Sequence, residues 1–240
     1  GGFDEPPRLF SDIIGAPKMS DLSRRETLAL LALSASSTSA CATPVAAPEV
    51  ENDVFQHGVA SGDPATDSVV LWTRVTTNEP SQLVSWRIAR DPDLLDVIVE
   101  GDVVARAGAD HTVKTIPTGL APGQTYYYQF TVNDMTSPIG RTKTLPVGHV
   151  DQLGIALVSC SNYAFGYFNA YAAIAQDDQI DLVLHTGDYI YEYGSDGWGH
   201  ETASTIGRPH DPPHETVSLD DYRRRHALYK HDAGSKAMHA

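Results

Sequence analysis

The chain has 240 residues, of which 41 % are hydrophobic and 20 % charged, a composition typical of a soluble globular protein with one large or two modest domains. Asp and Glu outnumber Lys and Arg by 31 to 17, and the formal net charge is −14. Because this charge repels phosphate backbones, the composition excludes a general nucleic-acid footprint, and we expect no stable nucleic-acid complex.

An export signal is predicted within residues 1–50. We expect translation to start at Met19, which is followed by a polar region with Arg24 and Arg25, a short apolar run and a stretch of small residues. That order is the plan of an export signal, and the apolar run is too short to span a bilayer. Residues 23–28 resemble the twin-arginine signal, which implies export of the folded protein through the twin-arginine translocase.

Two processing sites fit the end of this leader. Ala40-Cys41-Ala42 fits a small-x-small cleavage site, which would release a soluble product. Residues 38–41 form a loose version of a bacterial lipoprotein signal, with Thr38 where Leu is usual, and would leave a diacylated Cys41 as a lipid anchor. In both cases we expect the chain to be extracytoplasmic, either periplasmic or secreted.

The cysteine count narrows the role of the remaining thiol. The chain contains only Cys41 and Cys160, and Cys41 lies in the leader or at its edge. A single cysteine in an exported protein cannot form an internal disulfide. Cys160 is therefore a buried small hydrophobe, a reactive thiol or a metal ligand.

Residues 51–148 are predicted to form an N-terminal antiparallel β-sandwich. Short alternating runs bounded by turn residues recur there at the spacing typical of sandwiches. These runs cover residues 68–75, 83–90, 97–100, 111–116, 124–132 and 140–144. The turn before Tyr126 resembles the tyrosine corner of fibronectin type III domains, which implies that the Tyr126 hydroxyl has a structural role.

The pattern changes to α/β in residues 149–240. Two continuous apolar runs predict buried strands, and a run with helical spacing separates them. The strands cover residues 153–159 and 180–185, and the helix covers residues 166–176. A right-handed crossover makes the strands parallel and brings Cys160 and Asp188 to the same edge. Two strands are too few for a doubly wound sheet, so we expect a truncated α/β domain.

Four histidines of this region are interpreted as core or surface-loop residues, with contact to substrate as the alternative for those in the loop. His185 lies on the second strand, where a satisfied core histidine is the better interpretation. A Gly-, Pro- and His-rich surface loop is predicted for residues 193–217, and it contains His200, His210 and His214.

Two helices are predicted after that loop. Ser218 with Asp221 forms a capping box at the start of the first helix. The basic run at residues 223–225 is interpreted as an exposed face of this helix. The second helix covers roughly residues 233–239.

Cys160, Asp188 and Tyr191 form the candidate metal site. Two metal ions that share a carboxylate can hydrolyse a phosphate ester, because they neutralise the phosphoryl oxygens and lower the pKa of a bound water to about 7. We therefore expect a metal-bound hydroxide as the nucleophile and Asp188 as a bridging ligand. A tyrosinate at Tyr191 favours a hard trivalent ion such as Fe(III), and a Cys160 thiolate fits iron better than magnesium. Tyr189 and Tyr193 are interpreted as packing residues.

Several long segments resemble the PhoD-type alkaline phosphatases, the alkaline phosphatase D family of metallophosphatases. The resemblance is carried by residues 158–163, 166–171, 184–192 and 219–229, and residues 53–74 look like the opening of that family's N-terminal sandwich. It implies a calcium-dependent, iron-containing enzyme that hydrolyses phosphate mono- and diesters. It also implies that Cys160, Asp188 and Tyr191 are ferric ligands, and that Asp188 additionally bridges to Ca(II).

Residues 1–240 depart from the family pattern in one respect. They lack the Asp-Asp-His-Glu type segment and the later His-containing loops that complete both metal shells. We therefore expect this piece alone to bind metal weakly and to be inactive.

Two alternative functions remain. The first is a binuclear hydrolase of the purple acid phosphatase type, which shares the Gly-Asp-x-x-Tyr motif and a β-sandwich but lacks the cysteine. The second is an exported, non-catalytic binding fragment in which the sandwich binds the ligand.

Overall fold

The computed structural model describes residues 54–240, and ten strands and four α-helices are assigned to that part of the chain. The strands are β1 (Val59–Gly62), β2 (Val70–Arg74), β3 (Ser81–Ala89), β4 (Val97–Arg106), β5 (Thr112–Thr115), β6 (Thr125–Val132), β7 (Met135–Thr136), β8 (Gly140–Lys143), β9 (Ile155–Val158) and β10 (Leu182–His185). The helices are α1 (Asn169–Ala175), α2 (His200–Ile206), α3 (Leu219–His231) and α4 (Ala233–His239). Arg24, Arg25, Cys41 and the predicted processing sites lie outside the described residues.

Strands β1 to β8 form two antiparallel sheets, here called the two-sheet region. One sheet has the order β1-β2-β5, and the other has the order β4-β3-β6, with β7 and β8 both paired to β6. The antiparallel prediction is confirmed. The fibronectin type III likeness and the predicted domain boundaries stay predictions.

Both sheets contribute to a single hydrophobic core. Alternating side chains along β2 and β6 point inward, as the period of two in their sequences requires. The core includes Val59 and Leu71 from the first sheet, and Ile88, Tyr128 and Phe130 from the second, each at most 1 % exposed. This shared core holds the two sheets together.

The tyrosine corner predicted from the sequence is present. The Tyr126 ring is buried, and its hydroxyl accepts a hydrogen bond of 2.8 Å from the backbone N–H of Ala121. The hydroxyl thus ties the start of β6 to the turn that precedes it.

Strand β4 is longer than predicted, since it continues beyond residue 100 to Arg106. Gly101 lies opposite Trp86 on β3. A Cβ atom at position 101 would lie 2.8 Å from Trp86 Cζ2, so only glycine lets the indole lie across the strand. Gly101 therefore accommodates a close contact inside the strand.

Strands β9 and β10 pair in parallel, as predicted, with Ile155 opposite Leu182 and Val158 opposite His185. The prediction that both strands are buried is wrong. Leu157 is 68 % exposed and Leu184 51 %, because the described residues cover only the opposite face of this pair. The apolar character of the strands therefore does not result in burial on both faces.

The helix predictions are confirmed with one addition. Ser218 caps α3 in a capping box, because its side chain accepts from the Asp221 N–H while the Asp221 carboxylate accepts from the Ser218 N–H. Helix α2 lies within the stretch predicted as an irregular loop, between Gly199 and Gly207, which both have positive φ. Over residues 54–240, no helix has the length and apolar character needed to cross a membrane.

Candidate metal centre

The segment that follows β9 and the segment that follows β10 place Cys160 next to Asp188. The parallel ladder continues beyond both strands through hydrogen bonds from Cys160 N–H to Gly187 O, 3.1 Å, and from Ser161 N–H to Asp188 O, 3.0 Å. These bonds fix the register of the two connecting segments. The predicted meeting of Cys160 and Asp188 at one sheet edge is therefore present in the structure.

Both residues have left-handed backbone conformations. The φ angle is +57° at Cys160 and +53° at Asp188, and Gly187 between β10 and Asp188 has a φ of +124°. For residues other than glycine this conformation costs roughly 1–2 kcal/mol. Such strain is concentrated at functional sites, and here it turns two polar side chains outward from adjacent strand ends.

The three predicted donor side chains converge at Asp188. The Cys160 Sγ lies 3.7 Å from Asp188 Oδ2, and the Tyr191 hydroxyl donates to the same oxygen at 3.1 Å. Desolvation, together with hydrogen bonds to Cys160 and Asp188, raises the pKa of Tyr191 well above its usual value. Cys160 and Asp188 are exposed, so the group is accessible from solvent.

His185 supports the turn that carries Asp188. Its Nδ1 accepts the Gly187 N–H at 3.2 Å, and its Nε2 lies 3.0 Å from the Tyr171 hydroxyl and 3.4 Å from Ser161 Oγ. Burial lowers the pKa of His185, which matches the neutral ring that these contacts require. The prediction of a satisfied histidine fits these contacts.

Tyr229 of helix α3 connects both sides of the site. It is 1 % exposed, and its hydroxyl oxygen accepts the backbone N–H of Tyr163 at 3.1 Å and that of Tyr191 at 3.3 Å. The first segment follows Cys160 and the second contains Asp188. A single buried oxygen thus links the two connecting segments.

Arg225 was predicted on an exposed helix face, and that prediction is wrong for this residue. Arg224 is exposed, but Arg225 is 0 % exposed. Its guanidinium donates to four backbone carbonyls, those of Tyr191, Tyr193, Asp211 and Pro212. The reason lies in the helix period: Asp221, Arg225 and Tyr229 are spaced by four residues and share the buried face.

The predicted loop histidines lie in different environments. His200 is exposed at the start of α2, and His214 Nε2 pairs with Asp221 at 3.0 Å. His210 is 5 % exposed, so the prediction of a surface position is wrong for it. Burial, with a smaller effect of Arg225, lowers the pKa of His210 to about 4. None of the three joins Cys160, Asp188 and Tyr191.

The donor set has the chemistry that a transition metal and a hard cation require. Across residues 54–240 no group of three or more His, Cys, Asp and Glu side chains is arranged to hold a metal ion. The candidate centre has two such residues, Cys160 and Asp188, and a phenol from Tyr191. A thiolate, a carboxylate and a phenolate that already share one oxygen contact fit an iron-type ion, and the second Asp188 oxygen fits a cation such as Ca²⁺.

Two family profiles match the chain in succession. Residues 40–146 match the PhoD-like phosphatase N-terminal domain, and residues 155–240 match the PhoD-like phosphatase domain. Cys160, Asp188 and Tyr191 all lie within the second match.

Two known proteins are similar to this chain, one compared by sequence and one by structure. Alkaline phosphatase D of Bacillus subtilis is 42 % identical over 205 residues, which are 81 % of this chain and 34 % of that protein. The solved structure described as PhoD is 40 % identical with a TM-score of 0.73, and the match covers 81 % of this chain and 38 % of that one.

The chain thus spans about a third of the length of these two relatives. Its β-rich fold matches the solved structure, and the match to the N-terminal-domain profile is followed along the chain by the match to the phosphatase-domain profile. The chain therefore belongs to the PhoD-like phosphatases.

Proposed function

We propose that the protein is a phosphoric ester hydrolase that acts on phosphate mono- or diesters at a site containing Cys160, Asp188 and Tyr191. The observation that carries the proposal is the convergence of the Cys160 thiol and the Tyr191 phenol on a single Asp188 oxygen. Family membership supports the reaction class, because the relatives are phosphatases.

The proposed metal ions are Fe(III) and Ca(II). Cys160, Asp188 and Tyr191 would hold the iron, and Asp188 would bridge to calcium. When bound, such ions neutralise phosphoryl oxygens and activate water for attack. The protein's own contribution is to hold the three donors in register through the Cys160–Gly187 and Ser161–Asp188 backbone bonds and through His185.

The geometry favours this function over the purple acid phosphatase alternative. That arrangement lacks the cysteine, whereas Cys160 here lies 3.7 Å from the carboxylate oxygen that also contacts Tyr191. The left-handed conformation of Cys160 directs a thiol toward this oxygen at an energetic cost. A thiol with only a packing role would not require that conformation.

We expect the metal site to need more donors than residues 54–240 supply. Three donors are fewer than the four of a structural site, and the apolar face of β9 and β10 is exposed. We expect the 240-residue chain alone to bind metal weakly and to be inactive. Export by the twin-arginine translocase to an extracytoplasmic location, with or without a lipid anchor at Cys41, completes the proposal and rests on the sequence of residues 1–50.

Replacing Cys160 tests the site directly. Cys160→Ser in the protein produced from the complete natural gene should lower the affinity for Co²⁺ and abolish the absorption of the thiolate-bound ion, because Ser removes the soft ligand. Ser159→Ala is a matched control, since Ser159 is exposed beside Cys160. Unchanged absorption in Cys160→Ser would overturn the ligand assignment.

Hydrolysis is tested on the protein produced from the complete natural gene. It should cleave an aryl phosphodiester and lose that activity after treatment with chelator or after Cys160→Ser. Full activity of the metal-free protein would overturn the proposed reaction.

A further inference from the structure

Four aromatic side chains form a partly exposed cluster beside the candidate metal centre. We call Phe165, Tyr191, Tyr193 and Trp198 the aromatic rim. Phe165 is 44 % exposed, Tyr193 43 % and Trp198 57 %. A contiguous group of exposed aromatic rings beside a candidate site is a candidate binding surface.

The rings contact one another in sequence. The Trp198 ring centroid lies 4.6 Å from that of Phe165, 5.9 Å from Tyr193 and 6.1 Å from Tyr191. Tyr191 and Tyr193 stack at 6.1 Å with an interplanar angle of 18°. The other ring pairs are tilted by 53° to 73°.

The backbone beneath the rim is held in place. Buried Arg225 donates to the carbonyls of both Tyr191 and Tyr193. Gly199 has a φ of +94°, and a Cβ atom there would lie 2.9 Å from Phe165 Cε2. Only glycine therefore lets the Trp198 segment approach Phe165 this closely. A ring ligand would meet a preformed surface and would lose little binding energy to ordering it.

The rim is continuous with the metal donors through one residue. The Tyr191 ring belongs to the rim, and its hydroxyl donates to Asp188 Oδ2 at 3.1 Å. A phosphoryl group at Cys160 and Asp188 would therefore place its organic substituent next to the rings. The rim itself contains no charged side chain, so it suits a flat, uncharged group.

We propose that the aromatic rim binds a planar ring in the organic part of the ester, either an aryl group or a nucleobase. The position of the phosphoryl group in this inference rests on the proposed function, whereas binding of a ring to the aromatic rim does not. Stacking of a base on protein aromatics is worth about 1–3 kcal/mol per base, or roughly 5- to 150-fold in affinity.

Ring binding can be measured on the metal-free 240-residue chain. Adenosine and phenylphosphonate serve as nucleobase and aryl probes, with glycerol 3-phosphate as the ligand that has no ring, and calorimetry gives the affinities. At least one ring probe should bind more tightly than glycerol 3-phosphate, and its affinity should fall at least fivefold in Trp198→Ala. Which probe responds identifies the ring source.

Trp198→Phe is the matched control, because it retains a ring at the same position and should bind within about threefold of wild type. Equal affinity for ring probes in wild type and Trp198→Ala would overturn the proposal. A far-ultraviolet circular dichroism spectrum identical to wild type verifies that Trp198→Ala is folded. Tyr193→Ala, which removes a different ring, should weaken the same probe and provides a second, independent variant.

Kinetics of the protein from the complete natural gene separate this inference from the proposed function. Trp198→Ala should lower kcat/KM for an aryl or nucleoside monophosphate at least fivefold and leave that for glycerol 3-phosphate unchanged. If no ester is hydrolysed but ring binding depends on Trp198, the proposed function fails and the rim stands. If hydrolysis proceeds with the same ester preference in wild type and Trp198→Ala, the rim fails and the proposed function stands.

Discussion

The two-sheet region and the segment carrying the candidate metal centre are stabilised in different ways. In the two-sheet region the buried residues are mainly aliphatic and aromatic, and Val84, Ile88 and Phe130 are fully buried. In residues 155–240 many of the buried side chains are polar or charged: Ser161, Arg208, His210, Thr216, Asp221, Arg225, Lys230, Asp232 and Ser235. The apolar strands of that segment are meanwhile half exposed.

This difference has an energetic consequence. Burial of apolar surface is non-directional, so the two-sheet region tolerates small shifts of its side chains. Hydrogen bonds from a buried cation are directional, and removing that cation leaves several acceptor groups without a donor. The geometry of the candidate centre therefore depends on a few polar side chains rather than on a large core.

The largest effect is expected from Arg225, which tests this dependence directly. Arg225→Met leaves four backbone carbonyls, all buried or partly buried, without their donor, and we expect a loss of about 3–5 kcal/mol in the free energy of unfolding. Urea denaturation followed by tryptophan fluorescence measures it.

The adjacent variant Arg224→Met is the control, since Arg224 is exposed and its ion pair with Asp211 is worth at most about 1 kcal/mol. If the two variants lost the same free energy, the carbonyl contacts of Arg225 would not be what stabilises this segment.

Replacing buried Lys230 is expected to raise the free energy of unfolding, whereas replacing buried Arg225 lowers it. It is 2 % exposed, its Nζ has no hydrogen-bond partner among the described residues, and it lies 5.3 Å from the Trp72 ring centroid. Burial, with Lys236 nearby, lowers the pKa of Lys230 from 10.5 to about 7. His226 and His239 also lie near this group, and among the described residues no carboxylate is found to raise the pKa of Lys230.

The sign of the pH dependence follows from proton binding. Between pH 7 and 10.5 the unfolded chain keeps the Lys230 proton and the folded chain does not, so stability rises with pH in that window. Lys230→Met should stabilise the protein at pH 7 by roughly 2–4 kcal/mol and flatten this rise.

Thermal unfolding at several pH values measures the effect of Lys230→Met. Lys236→Met removes only the neighbouring charge that lowers the pKa of Lys230, so it should give a smaller change of the same sign. An unfolding free energy of Lys230→Met that kept the wild-type pH slope above pH 7 would contradict this prediction.

A smaller effect, specific to the centre, is expected from His185. His185→Phe removes the acceptor for the Gly187 N–H and should lower the affinity for Co²⁺ by about 10-fold, as outer-shell changes typically do. Tyr171→Phe removes only the second contact of the ring and should have a smaller effect. Equal Co²⁺ affinity in wild type and His185→Phe would mean that the turn holds Asp188 without the imidazole.

The smallest effect belongs to the two-sheet region. Tyr126→Phe removes one hydrogen bond to Ala121 and should cost about 1 kcal/mol of unfolding free energy. The affinity for Co²⁺ should stay within twofold of wild type, because Tyr126 does not contact the centre. A large loss of metal affinity would show that the two regions are coupled.

The local pattern of the sequence was sufficient for much of the fold. Strand alternation, the Ser218 capping box and the parallel β9–β10 pair follow from short-range periodicity, and the structure confirms them. The site residues Cys160 and Asp188 could be brought together because both follow adjacent parallel strands. The strand pattern and the handedness of the crossover are enough to predict that these two residues lie close together.

Other features depend on tertiary contacts that a local pattern does not contain. In the run of three arginines, only position 225 carries the four carbonyl contacts. The spacing of four to Asp221 and Tyr229 was the available signal. His210 is buried by the fold of its loop, and its neighbouring prolines gave no indication of that burial. The exposure of Leu157 depends on what packs on the sheet, which the strand's own residues do not determine.

The Tyr229 hydroxyl has a mechanical consequence for the candidate centre. Its oxygen accepts one N–H from the segment after Cys160 and one from the segment containing Asp188. A displacement of helix α3 would therefore carry both segments in the same direction. Their separation, and with it the spacing between the thiol and the carboxylate, is preserved when the helix shifts.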